Sequence, residues 1–173
     1  ATNERGAIVV NDTCESSVPG VYAVGDVNGG PQFTYVSLDD FRIVFGALTG
    51  SGHYTLKDRK NIPYTTFLTP PLSRVGLTEE DAINQGYTIK TKEMLVATMP
   101  RAHVNDYLKG AFKIVVDAEN DLILGATLYS QGAEELINLI KMAMDNNIPY
   151  TYFKNQIFTH PTMAENLNDL CNF

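Results

Sequence analysis

Two short stretches of the 173-residue chain carry residue types and spacings that can do chemistry. The first is His160-Pro161-Thr162-Met163-Ala164-Glu165. Pro161 biases the residue before it toward an extended conformation, which ends the preceding segment and exposes the His160 imidazole at a bend. A helix starting near Thr162 places Glu165 one turn in, close enough for its carboxylate to fold back onto an imidazole N–H and fix the tautomer. A histidine held in this way is the usual form of a general acid/base. The same residues also describe a helix-entry histidine and a solvated first-turn acid favoured by the helix dipole, and on the residues alone both readings stand.

The second stretch is Tyr22-Ala23-Val24-Gly25-Asp26. A strand ending here puts a carboxylate at the C-terminal edge of a sheet, where ligands bind in open α/β folds. Gly25 lets a ligand come close to the backbone, and Asp26 can accept two hydroxyl hydrogen bonds from a polyol. The helix entered at Thr34, a possible N-cap, offers free backbone N–H groups and a positive dipole end to a nearby oxygen. An ordinary turn with an Asx cap uses the same residues, so spacing alone leaves both open.

Other reactive residue types lack partners in sequence. His53 and His103 have no Cys, His or carboxylate at metal-ligand spacing, so no metal site is expected. Cys14 and Cys171 sit near opposite ends with no CxxC or CxxxxC, which argues against a disulfide framework or a zinc cage and for unpaired thiols in a reducing cytoplasm. The net charge is −7 with no Lys/Arg cluster, a poor match for nucleic acid. No run approaches the roughly 18–20 apolar residues a bilayer span needs. No basic and apolar leader opens the chain, and the absence of an initiator Met within an established pattern suggests a fragment.

The elements that must position these residues follow from periodicity. Residues 6–10 and 21–24 are short apolar runs, expected as strands, and 34–48 reads as a helix with Val36, Phe41, Val44, Phe45 and Leu48 close to helical spacing. The small, polar stretch 49–60 is the best linker. Beyond it, 64–68 is β-prone, Thr78 caps a short helix closing at Gly86, and 87–92, 111–117 and 122–129 are strands, the last two joined by a hairpin turn. Residues 99–103 read as a loop. Helices are expected at 133–146, 150–155 and about 163–171. Residues 1–50 thus look like a closing β-β-α piece of a larger α/β domain, 51–60 a linker, and 61–173 an α+β unit, an antiparallel sheet with helices packed on one side.

The string GAIVVNDTCESSVPGVYAVGDVNGGPQFTYVSLDD resembles the second FAD-binding motif of the flavoprotein disulfide reductases, the family of glutathione reductase, dihydrolipoamide dehydrogenase and mercuric reductase. The usual Thr before Ser-Val-Pro is replaced here, since this chain reads Glu15-Ser16-Ser17-Val18-Pro19. The resemblance implies that Asp26, after Gly25, binds the ribityl chain of FAD and that the backbone of Phe33, Thr34, Tyr35 and Val36 faces the isoalloxazine ring. The His-Pro-Thr-x-x-Glu element is similar to one at the C-terminal end of the same family's interface domain. It implies His160 as acid/base for a thiol pair and Glu165 as the residue that orients it. The two matches come in the family's order, so the resemblance spans the chain. Its ending looks closest to the reactive-chlorine-resistance reductase subgroup, and mercuric reductases proper lack this histidine, which disfavours mercury reduction.

The family passes electrons from NAD(P)H to FAD, to a Cys-x4-Cys pair, and on to substrate. This chain contains neither that pair nor a Gly-x-Gly-x-x-Gly loop. The resemblance therefore implies a homodimeric, cytoplasmic disulfide oxidoreductase in which this part supplies His160 and Glu165 to the partner's site. Its substrate would be a small disulfide or oxidised low-molecular-weight species. Alone, it is expected to bind no FAD and to be inactive. The competing expectation is a stand-alone dimerisation or scaffolding module with an inert His-Glu pair; an upstream Gly-x-Gly-x-x-Gly and Cys-x4-Cys in the reading frame would decide between them.

Overall fold

A computed structural model describes residues 1–173. The chain divides into two compact units, Ala1–Arg59 and Lys60–Phe173.

In the first unit the runs expected as strands do not form ladders. Their pairing is reduced to the isolated bridges Thr2↔Ile8, Val10↔Ser16 and Glu15↔Tyr22. Between these bridges the Asn11 carboxamide accepts the N–H groups of Thr13 and Glu15, both at 3.0 Å, and Glu15 accepts that of Gly20 at 2.8 Å. These side-chain turns fold the chain back at each bridge. A 3₁₀ turn at Gly25–Asn28 leads to helix α1, Thr34–Thr49, which closes at Gly50 in the left-handed conformation.

Helix α1 buries Val36, Asp40, Ile43 and Gly46. Phe41, Phe45 and Leu48, grouped with Val36 by the sequence, stand 55%, 54% and 64% exposed. Five residues turn a helix by about 500°, which puts Phe41 roughly 140° away from Val36. The stretch expected as a linker is not a bare tether. It forms a 3₁₀ turn at Leu56–Asp58, the Leu56 N–H donates to the Asp12 carbonyl at 2.9 Å, and Lys57 pairs with Asp12. Its polar residues look like linker chemistry because their acidic partners, Asp12, Asp39 and Asp40, lie far back in sequence.

The second unit is a five-stranded antiparallel sheet of order β1-β2-β5-β4-β3, built from β1 (Tyr64–Thr66), β2 (Leu72–Gly76), β3 (Ile89–Leu95), β4 (Ala111–Asp117) and β5 (Ile123–Tyr129). This is the expected α+β class. Strand β2 escaped the sequence reading because Ser73 and Arg74 break its apolar run; pairing with β5 in the register Ser73↔Leu128 and Val75↔Ala126 creates it. Strand β3 runs later than expected because it matches the whole of β4, from Ile89↔Asp117 to Leu95↔Ala111. Helix α2 (Glu79–Asn84) starts at Thr78, whose hydroxyl oxygen accepts the Asp81 N–H at 2.9 Å. The loop expected at 99–103 contains a short helix, α3 (Pro100–Val104), with Pro100 in its first turn, where a missing N–H costs nothing.

Alternation along β4 decides the core. Phe112, Ile114 and Val116 are fully buried on one face, while Lys113, on the other, reaches Glu79 at 2.6 Å. Against the apolar face lies α4 (Ala133–Asp145), whose Leu136, Ile137, Ile140 and Ala143 are buried at helical spacing. Two shorter helices, α5 (Tyr150–Asn155) and α6 (Asn166–Leu170), complete the layer, with Leu167 and Leu170 fully buried. Gly76 is required where it stands. Its φ is +71°, and a Cβ there would lie 2.2 Å from the Leu124 carbonyl oxygen.

Candidate functional site

His160 and Glu165 come together as their spacing allows. The His160 Nδ1 lies 2.7 Å from Glu165 Oε2. The other carboxylate oxygen accepts the Thr162 N–H at 3.0 Å, and the Thr162 hydroxyl accepts the Glu165 N–H at 3.2 Å. Thr162 and Glu165 thus form a reciprocal capping pair ahead of α6, and the helix begins at Asn166 rather than near Thr162. One Glu165 oxygen is held by the Thr162 N–H, and the other is left for the imidazole.

Burial separates the pair. The His160 side chain is 66% exposed and that of Glu165 19%. The hydrogen bond from His160 is the main reason that the Glu165 carboxyl sits below its usual range. An ionised carboxylate only accepts, so Nδ1 carries the hydrogen and Nε2 is left as the working nitrogen. The approach to His160 is pinned by Asn168, whose carboxamide donates to the carbonyls of Phe153 at 2.7 Å and Gln156 at 2.9 Å. Asn166, itself 2% exposed, donates to the carbonyls of Thr162 and Met163. The imidazole therefore sits just ahead of a helix whose leucines are locked in the core.

The second group lies in the first unit. Gly25 is buried with φ +73°, and a Cβ there would meet the Ser37 hydroxyl at 2.7 Å, so only glycine fits. Asp26 follows, exposed, its carboxylate taking no hydrogen bond from the chain. It lines an open hollow of about 880 Å³ together with Arg5, Gly29, Gly30, Gln32 and Phe33. Phe33, not Thr34, is the N-cap of α1. Its backbone is extended (φ −130°, ψ 141°), whereas Thr34 is already helical, and no side chain caps the helix start. The Phe33 and Tyr35 rings stack at 5.1 Å. Of the predicted residues, Asp26 and Phe33 line the hollow, Gly25 is buried and does not, and Thr34 and Tyr35 stand in the first turn of α1.

Sequence reasoning missed what sits beneath this turn. Asp40, 1% exposed, accepts the Gly25 N–H at 2.8 Å and the Asn28 carboxamide at 2.9 Å. It also takes the Arg59 guanidinium, which bonds Asp39 at 2.8 Å through Nε. Burial works against the charge on Arg59, but bonds and attraction from Asp40 and Asp39 outweigh it and raise its pKa above the ordinary value. A signal existed. Asp40 falls at helical spacing between Val36 and Ile43, the one polar residue on the inward stripe.

The remaining candidates join neither group. His103 Nε2 lies 2.8 Å from the Ala97 carbonyl, and His53 is exposed. Cys14 and Cys171 are buried free thiols. Burial, reinforced by Asp40, pushes Cys14 up to about 11, and burial pushes Cys171 up to about 12 against the pull of Lys92. Neither is a nucleophile near neutral pH.

Comparison with known proteins agrees with this architecture. Residues 62–171 match the dimerisation domain of pyridine nucleotide-disulphide oxidoreductases, and residues 1–40 match a second pyridine nucleotide-disulphide oxidoreductase model. The chain is 50% identical over 170 residues to the probable pyridine nucleotide-disulfide oxidoreductase RclA of Escherichia coli, covering 98% of this chain and 38% of that protein. It is 32% identical over 166 residues to a mercuric reductase of Staphylococcus aureus, covering 96% of this chain and 30% of the reductase. The solved structure of the HOCl-induced flavoprotein disulfide reductase RclA from Escherichia coli superposes with a TM-score of 0.95 at 49% identity, over 99% of this chain and 39% of that one. The chain thus spans well under half the length of these relatives. It belongs to the pyridine nucleotide-disulphide oxidoreductase family, in the RclA subgroup, and residues 62–171 are its dimerisation domain.

Proposed function

We propose that this chain is the C-terminal part of an FAD- and NAD(P)H-dependent disulfide oxidoreductase that works as a homodimer. In this reading residues 1–50 close the FAD domain, 51–60 connect, and 61–173 form the interface domain. His160 and Glu165 serve the dithiol of the partner subunit. The observation that carries the reading is the 2.7 Å contact between His160 Nδ1 and Glu165 Oε2, with Glu165 braced by Thr162 and the imidazole largely exposed.

The chemistry follows from that geometry. With Nδ1–H committed to Glu165, Nε2 takes a proton from an attacking thiol and returns it to the thiolate that leaves a cleaved disulfide. The imidazolium formed in between is balanced by the Glu165 carboxylate. The substrate is a small disulfide or an oxidised low-molecular-weight species, met in a reducing cytoplasm, where buried unpaired thiols such as Cys14 and Cys171 persist.

The residues around Asp26 fit a flavin dinucleotide. The Asp26 carboxylate is unpartnered at the rim of a hollow, Gly29 and Gly30 line it without side chains, and the start of α1 is uncapped. Bound FAD would supply the electron relay between nicotinamide and dithiol. Asp26 would accept hydroxyl hydrogen bonds of its polyol, Gly25 would allow the approach, and the start of α1, where Phe33, Thr34 and Tyr35 stand, would set the positive end of the helix dipole near the ring system. The isolated chain does not retain FAD and does not turn over.

The test is His160→Ala in the full-length enzyme. Reduction by NAD(P)H should stay within about twofold of the wild type, while reoxidation by disulfide substrate should slow by about 10²–10⁴-fold, the range for loss of a general acid/base. Unchanged turnover would reject the assignment and leave an inert scaffold as the better account.

A further inference from the structure

The Asp40 cluster has no part in the chemistry just described, yet it places a charge where charge is costly. A carboxylate that is 1% exposed is tolerated only if it is paired and hydrogen-bonded. Asp40 meets both conditions, and the way it does so is informative. Its Oδ2 takes the Gly25 N–H at 2.8 Å and the Asn28 carboxamide at 2.9 Å. Its Oδ1 takes Arg59 Nη2, and Arg59 Nε is held by Asp39 at 2.8 Å. One oxygen therefore grips the first and last residues of the Gly25–Asn28 turn, and the other is locked by a guanidinium that the neighbouring carboxylate also binds.

Asp26 lies between the two gripped residues. Its peptide begins at Gly25, which has few intrinsic backbone preferences of its own and sits at φ +73°. Without the clamp, the direction of the Asp26 side chain would be set by an intrinsically permissive residue. With it, both ends of the turn are tied to α1 and Asp26 has one orientation toward the hollow it lines.

We propose that Asp40, held by Arg59, is a positioning residue that aims the Asp26 carboxylate at the polyol of the bound dinucleotide. The inference rests on the assignment of Asp26 above. Asp40 touches no ligand; it acts through the Gly25 amide and the Asn28 side chain, and Arg59 acts through Asp40.

The experiment is a double-mutant cycle in the full-length enzyme, stripped of flavin and titrated with FAD by flavin fluorescence, with thermal unfolding recorded alongside. Asp26→Asn should weaken FAD binding by tenfold or more. Asp40→Asn, which keeps the side chain's shape, should also weaken it by tenfold or more. The double variant should bind no more weakly than Asp26→Asn alone, because Asp40 has nothing left to aim. Should Asp40→Asn fail to fold, Arg59→Gln replaces it, with an expected weakening of threefold or more that again vanishes in the Asp26→Asn background. Losses that multiply in the double variant, or no loss from either second variant, overturn the positioning role while leaving Asp26 in place. An Asp26→Asn enzyme with normal FAD affinity overturns the assignment of Asp26 itself, and the positioning role with it.

Discussion

Glu165 Oε2 lies 2.7 Å from His160 Nδ1 while its other oxygen accepts the Thr162 N–H at 3.0 Å, so one carboxylate both closes the turn before α6 and orients an imidazole. The two tasks reinforce each other. The bonds to Thr162 remove rotamer freedom from Glu165, and a carboxylate already fixed loses less entropy when it meets His160. The exposed imidazole gains a rigid support although it lies outside any regular element.

This arrangement has a pH signature. The Glu165 carboxyl is depressed, chiefly by the hydrogen bond from His160, so its ionised form stabilises the folded state. That contribution is complete above the usual value near 4.5 and is lost as pH falls through the lower folded value. Glu165→Gln should therefore lower the thermal midpoint at neutral pH, with the gap to wild type closing in acid. Calorimetry from pH 7 down to about pH 3 would show it; a gap of constant size would mean that the carboxylate is not held as described.

Asn168 should matter more than an exposed amide usually does. Asn168→Ala leaves the Gln156 carbonyl without its donor and takes one of two from the Phe153 carbonyl, which keeps the Gln156 N–H at 3.3 Å, a loss of about 1–3 kcal/mol for part-buried groups. Amide hydrogen exchange should rise across residues 156–162 and stay slow in β4, whose core neighbours are untouched. Unchanged exchange in 156–162 would show that the segment is held by other contacts.

The thiols offer a simple check on packing. With Cys14 and Cys171 buried and their pKa values pushed up to about 11 and about 12, neither should react with iodoacetamide in the native chain at pH 7.5. In concentrated urea both should be alkylated, as read by intact mass. An adduct on native protein would place a thiol at the surface and contradict the fold at that point.

Much of this molecule could be read before folding. The hairpin β4–β5, the apolar stripe of α4 and the Thr78 cap are local patterns, set by alternation, helical period and a single side-chain bond to a nearby amide. The His160–Glu165 pair was legible for the same reason, since its partners lie only five residues apart. What stayed hidden depends on distant partners. Strand β2 exists because β5 offers a matching edge, and residues 6–10 and 21–24 form single bridges because a strand needs a neighbouring edge to pair with. Asp40 and Arg59 are separated by most of α1 and by a segment that looks like a linker, so no local pattern shows that they meet. The sequence by itself determined the motifs, the family and the elements held by short-range bonds. Only the tertiary structure decided that a buried ion pair lies under the Gly25-Asp26 turn, because burying a charge depends on groups that the chain brings together after it folds.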